Sequence, residues 1–255
     1  MEIKLSVIIL AKNEEDNIVD CLESVSFADE ILVIDDFSKD RTIEIIESLR
    51  NRKIKLVKNT LGSDFSSQRN FGLSKAQGDW ALFIDADERV SEALTLEISN
   101  IKYQISNKYN GFYIKRRDFM WGRELKHGEV RGIKLLRLAE KGKGEWEGKV
   151  HEKWKIKGPI DELRNPLLHY PHQTISEFLR EINFYTDIRA KELYMKGIHV
   201  YLSSIILYPA GKFLLNYIFK RGFLDGIPGL ILAILMSFHS FLVRGKVWLL
   251  NRRNE

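Results

Sequence analysis

The stretch Gly78–Val90, GDWALFIDADERV, decides the fold. Asp79 to Ile84 is an apolar run of strand length, as a strand covered on both faces requires. It stops at Asp85-Ala86-Asp87. Two carboxylates one residue apart at a strand's carboxyl end can both reach one divalent cation, and hard oxygen ligands suit Mg²⁺ or Mn²⁺. Such a cation bridges a diphosphate and neutralises charge on a leaving nucleoside diphosphate. An isolated Asp-x-Asp is a weak signal, because acidic turns and helix starts produce it often; the strand in front gives this one its weight.

Upstream the chain alternates strands and helices. Leu5 to Leu10 (LSVIIL) is a continuous apolar run, and Glu30 to Ile34 (EILVI) a second, ending in Asp35-Asp36. Lys53 to Lys58 reads as a short strand. Between them Asn13 to Ser26 has Ile18, Leu22 and Val25 on one helical face, and Asp40 to Leu49 has Ile43, Ile46 and Leu49. Ser66 to Ala76 is the next helix. Strand, helix, strand, helix, strand implies an α/β fold with a mostly parallel sheet, in which ligands sit beyond the carboxyl ends of the strands. Both acidic pairs fall at such ends.

Downstream of Ser91 the pattern changes. Gly111 to Arg116, Ile133 to Leu138 and Lys153 to Lys157 read as strands of a mixed or antiparallel extension. Thr174 to Lys196 is a long amphipathic helix with Ile175, Phe178, Leu179, Ile182, Tyr185 and Ile188 in one stripe. Two apolar segments follow, Ile198 to Phe219 and Ile227 to Val243, separated by KRGFLDG. The organisation expected is one α/β domain over 1–172, divided into halves at 1–90 and 91–172, and an apolar helical extension over 173–255.

Composition bounds the function. The chain has 255 residues and net charge +5, with 44% hydrophobic and 29% charged residues. From residue 199 onward there are seven Lys or Arg against Asp225 and Glu255, so this tail carries the whole excess. Positive charge confined to an apolar segment points to an anionic membrane surface and not to nucleic acid. The two segments approach the ~20 residues that span a bilayer. Pro209 and Lys212 interrupt the first, and Pro228, Gly229 and His239 the second, which favours an interfacial helix pair. A spanning hairpin and a packed or homodimerising helical cap are the other readings. The single cysteine, Cys21, excludes an intrachain disulfide, fits a reducing compartment and reads as a core residue. The start MEIKLSVIIL has no basic n-region and no small-residue cleavage site, so no signal peptide is expected.

Other residues carry chemistry beside a structural alternative. A carboxylate at Asp35 or Asp36 can accept hydrogen bonds from a base N–H or from ribose hydroxyls. The alternative is helix capping, for which Ser38 and Asp40 are better placed. Gln68-Arg69-Asn70 follows the Gly/Ser-rich GSDFSS; Arg69 either forks onto diphosphate oxygens or is a surface helix arginine. Glu152 can take a proton from an attacking hydroxyl, or pair with Lys153 or Lys155. His151 either binds metal or diphosphate, or is a packed histidine.

In this order the residues resemble the family-2 glycosyltransferases of the GT-A fold. The resemblance runs through SVIILAKNEEDNI, ILVIDDFSKDRT, SSQRNFGLSKAQGDWALFIDADERV and GKVHEKW, most of residues 5 to 175. It is nearest to the lipopolysaccharide core glucosyltransferase-like branch, with VHE some sixty residues after the DxD and GFLDGIPG in the tail. The resemblance implies an inverting transfer of a hexose, with glucose expected, from a UDP-sugar. The acceptor implied is lipid-linked or a lipopolysaccharide core, at the cytoplasmic face of the membrane, where the enzyme is peripherally bound. It also implies that Lys12, Asn13, Glu14 and Asp35 line the nucleotide pocket, with Asp36, Arg69 and Asn70 counted in the same donor site. By the same resemblance the Asp85/Asp87 pair is expected to bind metal and diphosphate and Glu152 is the candidate base; His151, from its own reading, is counted with the expected metal ligands. The stretch GEVRGIKLLRL lacks the branch's usual Pro-Asp but keeps Arg137 before a leucine. A sugar nucleotidyltransferase of the same fold would want a Gly-rich phosphate loop after the first strand, which AKNEEDN is not. A silent carbohydrate- or membrane-binding module would have little use for Asp85, Asp87 and Glu152 together.

Overall fold

A computed structural model of the chain describes residues 3–60, 62, 64–104, 108–148, 152–171 and 173–252. They form two compact units: Met1–Arg116 with Ile133–His169, and Arg117–Gly132 with Tyr170–Glu255.

The first unit is a sheet with helices on its faces. Its elements are β1 (Leu5–Ala11), α1 (Ile18–Ser24), β2 (Glu30–Asp35), α2 (Thr42–Ser48), β3 (Ile54–Lys58), α3 (Phe65–Lys75), β4 (Trp80–Asp85), β5 (Glu88–Val90) and α4 (Glu92–Gln104). Strand β6 (Gly111–Met120) runs on into the second unit, where it turns back as β7 (Arg123–Leu125). The first unit resumes with β8 (Lys134–Glu140), β9 (Gly144–Glu147), β10 (Lys153–Ile156), β11 (Ile160–Glu162) and β12 (Leu167–His169). Strand order is β3-β2-β1-β4-β8-β6-β12-β5. The first four strands are parallel, and β8 and β6 join antiparallel. The expected parallel core with a mixed extension is therefore the architecture found.

The apolar runs at β1, β2 and β4 are buried almost throughout, because helices cover both sheet faces. One face packs Val7, Ile9, Ile31, Val33 and Leu82 with α1, and the other packs Ile8, Ile34 and Phe83 with α3. Helix α3 lies close: a Cβ on Gly72 would stand 2.8 Å from Ile8 Cγ2 and 3.3 Å from Ile34 Cγ1. Gly72→Val should therefore lower unfolding stability by about 1–3 kcal/mol through overpacking. Urea denaturation checks this, and an unchanged midpoint would show that the contact yields freely.

Two expected helices are shorter than their patterns. The Asn13–Ser26 segment becomes helical only at Ile18, since Asn13 sits at φ +56° and the chain turns before entering α1. The Asp40–Leu49 helix starts at Thr42.

The second unit holds α5 (Ile175–Met195), α6 (Leu202–Leu214) with a π turn over Leu215–Phe219, a 3₁₀ turn at Gly222–Asp225, and α7 (Gly226–Arg252). Thr174 and Glu177 close a capping box at the start of α5, which fixes the predicted boundary. The stripe read along this helix is only partly the buried one. Phe178 and Ile182 are buried, joined by Thr186 and Ala190, whereas Ile175 and Leu179 are exposed.

Candidate active site

Parallel register lines up the ends of the three central strands. Ala11 pairs with Asp35, and Leu10 with Asp85. The residues that follow, Lys12, Asp36 and Asp87, leave the sheet along one edge.

The first two loops are tied together. Lys12 Nζ lies 2.5 Å from Asp36 Oδ2. Asn13 N–H donates to Ser38 Oγ (2.9 Å), and Asn13 Oδ1 accepts from the Lys39 N–H (2.8 Å). Glu14 N–H donates to Thr42 Oγ1 at 2.7 Å. Asp35, fully buried, accepts from both the N–H and the hydroxyl of Ser38. Asp40 accepts from the Thr42 N–H and the Glu15 N–H, but the N-cap of α2 is Arg41 with no side-chain cap bond, and Ser38 links Asn13 to Asp35 instead of capping the helix. Lys12, Asn13, Glu14 and Asp35 are thus held at the strand ends through Asp36, Ser38, Lys39 and Thr42.

Asp85 is the centre of an ionic chain. Its Oδ1 takes Arg69 Nη2 at 2.9 Å and its Oδ2 takes Arg137 Nη2 at 2.7 Å. Arg69 Nε lies 2.8 Å from Glu152 Oε1, so one guanidinium joins the two carboxylates. Arg137 also reaches Glu88 Oε1 at 3.5 Å, and Glu88 Oε2 accepts the Asp85 N–H at 2.9 Å. Both arginine side chains are nearly buried, at 5% and 6% exposed. Arg69 stacks over the Trp146 ring, 4.8 Å from its centroid. Asn70 holds that tryptophan: its amide donates to the Trp146 carbonyl and accepts from the Trp146 N–H, both at 2.9 Å. Arg69 is therefore no surface arginine, and the Asn70 amide is engaged by the Trp146 backbone.

Burial opposes ionisation of Asp85, but Arg137 and Arg69 outweigh it and hold the carboxyl well below the usual carboxylate range. Asp87 is also held down: burial again resists, and His169, 3.2 Å away, overcomes it. Glu88 goes the other way. Its burial, with Asp85 and Asp87 nearby, pushes its carboxyl up against the pull of Arg137. Burial likewise raises the Cys21 thiol, in keeping with a core residue.

Glu88 and His169 escaped the sequence reading. They lie on β5 and β12, which pair His169 with Glu88 across the sheet. His151 falls outside the described residues. Among the described residues no three His, Cys, Asp or Glu gather around one point as a ready metal cage. The carboxylates of Asp85 and Asp87, 32% and 23% exposed, nevertheless offer the hard oxygen donors that Mg²⁺ or Mn²⁺ takes. A cation bound there would complete its shell from the diphosphate and water, as Mg²⁺ commonly does. The donor chemistry fits.

Residues 6–128 match the sequence profile of the family described as Glycosyl transferase family 2. The chain is 28% identical over 253 residues to the lipopolysaccharide core biosynthesis glycosyltransferase LpsC of Rhizobium meliloti, covering 97% of this chain and 93% of that protein. An uncharacterized glycosyltransferase of Rickettsia typhi is 28% identical over 256 residues, covering 96% of this chain and 86% of its own length. The crystal structure of S. aureus TarS 1–349 in complex with UDP-GlcNAc superposes with a TM-score of 0.51 at 16% identity, covering 99% of this chain and 92% of that one. At that identity the likeness bears on the fold alone, and the fold is the expected GT-A arrangement.

Proposed function

We propose, from the match of residues 6–128 to the glycosyl transferase family 2 profile and the similarity to LpsC, that the chain is an inverting transferase of that family moving a hexose, glucose by the resemblance, from a UDP-sugar to a lipid-linked or lipopolysaccharide core acceptor. LpsC, similar along nearly its whole length, is named for lipopolysaccharide core biosynthesis, and the TarS structure holds UDP-GlcNAc. The observation that carries the reading is the Arg69 bridge, which sets Glu152 one guanidinium away from Asp85 at the strand end.

In the reaction Glu152 takes the proton of the acceptor hydroxyl as its oxygen attacks the anomeric carbon. The bond from that carbon to the diphosphate oxygen breaks on the opposite face, and UDP leaves. Lys12, Asn13, Glu14, Asp35 and Asp36 bind the nucleoside end, and Arg69 and Arg137 set a positive field where the diphosphate charge develops. A Mg²⁺ or Mn²⁺ held by Asp85 and Asp87 would supply further neutralisation of the leaving UDP. Arg69 orients Glu152, and Asn70 steadies Arg69 by way of Trp146.

The enzyme works, on this reading, at the cytoplasmic face of the cell membrane, held peripherally by the 173–255 extension. Helices over Leu202–Phe219 and Gly222–Arg252 are long and apolar enough to cross a bilayer by length and composition. The interruptions at Pro209, Lys212 and Pro228, and the basic excess, favour lying on its surface.

The test is incubation of pure protein with UDP- and GDP-sugars and Mg²⁺ or Mn²⁺, measuring released nucleotide. UDP release from one UDP-hexose is expected, faster with acceptor lipid. Excess EDTA should abolish turnover; full activity in EDTA would remove the metal from the scheme. Binding of a donor without turnover under all conditions would favour a silent binding module.

A further inference from the structure

The second unit exposes apolar side chains in a pattern that a water-facing surface does not explain. Over residues 202–219 Asn216 is the one buried residue. Helix α7 has two apolar faces. Gly229, Leu232, Ala233, Val243 and Val247 are buried on one side, while Ile227, Ile234, Phe238 and Phe241, spaced by seven, four and three, are exposed on the other.

Large apolar side chains are exposed over Tyr201–Tyr208 and again, beside outward positive charge, in the turn between the two helices. Ile218, Phe219, Phe223, Leu224 and Ile227 fall within ten residues, and each is between 46% and 75% exposed. The turn is folded tightly. Lys220 N–H donates to the Leu215 carbonyl (2.8 Å), Arg221 N–H to Ile218 (3.0 Å) and Leu224 N–H to Arg221 (3.0 Å). These side chains are presented by a fixed backbone.

Charge at the turn is sorted. Asp225 is the one acid between residues 199 and 254. It is 2% exposed, accepts the N–H groups of Lys126 (3.0 Å) and His127 (2.8 Å), and meets His127 Nδ1 at 2.9 Å. Arg221 is exposed and Lys220 half-buried. Farther along α7 two cations turn inward, Arg244 over the Tyr208 ring and Lys246 onto Asn183, Thr186 and Asp187, while Arg252 at the helix end is exposed. Exposed apolar bulk and outward positive charge therefore coincide at the turn, while its acid is withdrawn. That combination matches the headgroup layer of an anionic bilayer, with rings at the acyl boundary and cations at the phosphates.

We infer that Ile218–Ile227 is a wedge that enters the headgroup layer of an anionic bilayer, with Lys220 and Arg221 on the lipid phosphates. The inference deepens the membrane-bound reading above and rests on it. The test uses the full chain with an environment-sensitive thiol label at Phe223→Cys, and separately at Lys191→Cys on the exposed side of α5. The native Cys21 is fully buried and will not compete for the label. On phosphatidylcholine vesicles containing phosphatidylglycerol, the label at 223 should shift to the blue and be quenched by spin-labelled lipid; the label at 191 should do neither. Phe219→Ser with Phe223→Ser should lower vesicle partitioning at least tenfold and leave lipid-free UDP-sugar hydrolysis unchanged. Protein that floats with vesicles while its 223 label stays in water overturns the wedge and leaves membrane attachment standing. Failure to float overturns both. A blue shift without lipid that grows with protein concentration overturns it in favour of a face between two copies. Donor hydrolysis, read separately, reports on the enzyme assignment.

Discussion

Glu152→Gln is expected to cut the turnover of sugar transfer by at least ~10²-fold, the usual scale for removing a general base, with donor affinity retained. Gln keeps the shape of Glu and offers an oxygen to Arg69 Nε, which now stands 2.8 Å from Glu152 Oε1. It cannot accept the acceptor's proton. Arg69 keeps its other anchor on Asp85, at 2.9 Å, so the donor side of the site should hold its geometry. The effect should therefore appear in turnover and not in the dissociation constant for a UDP-sugar, measured by calorimetry on the same protein. Wild-type transfer by the variant would put the base elsewhere. Asp118 and Asp161, two further carboxylates downstream of the DxD, would be substituted next.

The parts of the fold legible in the sequence were those with one-dimensional signatures. β1, β2 and β4 are apolar runs because helices bury them from both sides, and such runs need no partner to be recognised. Their acidic ends follow from the rule that parallel sheets present ligand sites at carboxyl edges. β5 and β12 have three residues each, too few to show a period, and their pairing joins segments far apart in the chain. Glu88 and His169 were hidden for that reason. Arg137 was visible only as half of a motif; its position on Asp85 depends on the antiparallel pairing of β8 with β4, which no local pattern encodes. In the tail, hydropathy identified helices. It could not show that α7 is apolar on two opposite faces, because that distinction exists only once one face is packed.

Asp85→Asn should do more than disturb donor binding: it should destabilise the first unit. Asp85 is the shared counter-charge of two nearly buried guanidinium groups. Asn can accept from one arginine through its oxygen, but it turns an NH₂ toward the other, setting donor against donor. Removing one partner from a buried ionic cluster costs about 3–5 kcal/mol, because the remaining charge stays desolvated. The lower end applies, since Glu152 still faces Arg69, Glu88 still faces Arg137, and about a third of the Asp85 side chain (32%) is exposed. For a unit of this size, a loss near ~3 kcal/mol lowers the melting temperature by roughly 6–12 °C. The sign with pH follows from the direction of the shift. The Asp85 carboxyl is held below its unfolded value, so its contribution is fully present above about pH 4 and fades as pH falls toward the folded value. The gap between wild type and variant should accordingly be widest near neutrality and narrow progressively below pH 4. Thermal unfolding of both proteins from pH 7 down to pH 3 measures this. A gap below ~1 kcal/mol at pH 7, or one that widens in acid, would mean that Asp85 does not neutralise the two arginines.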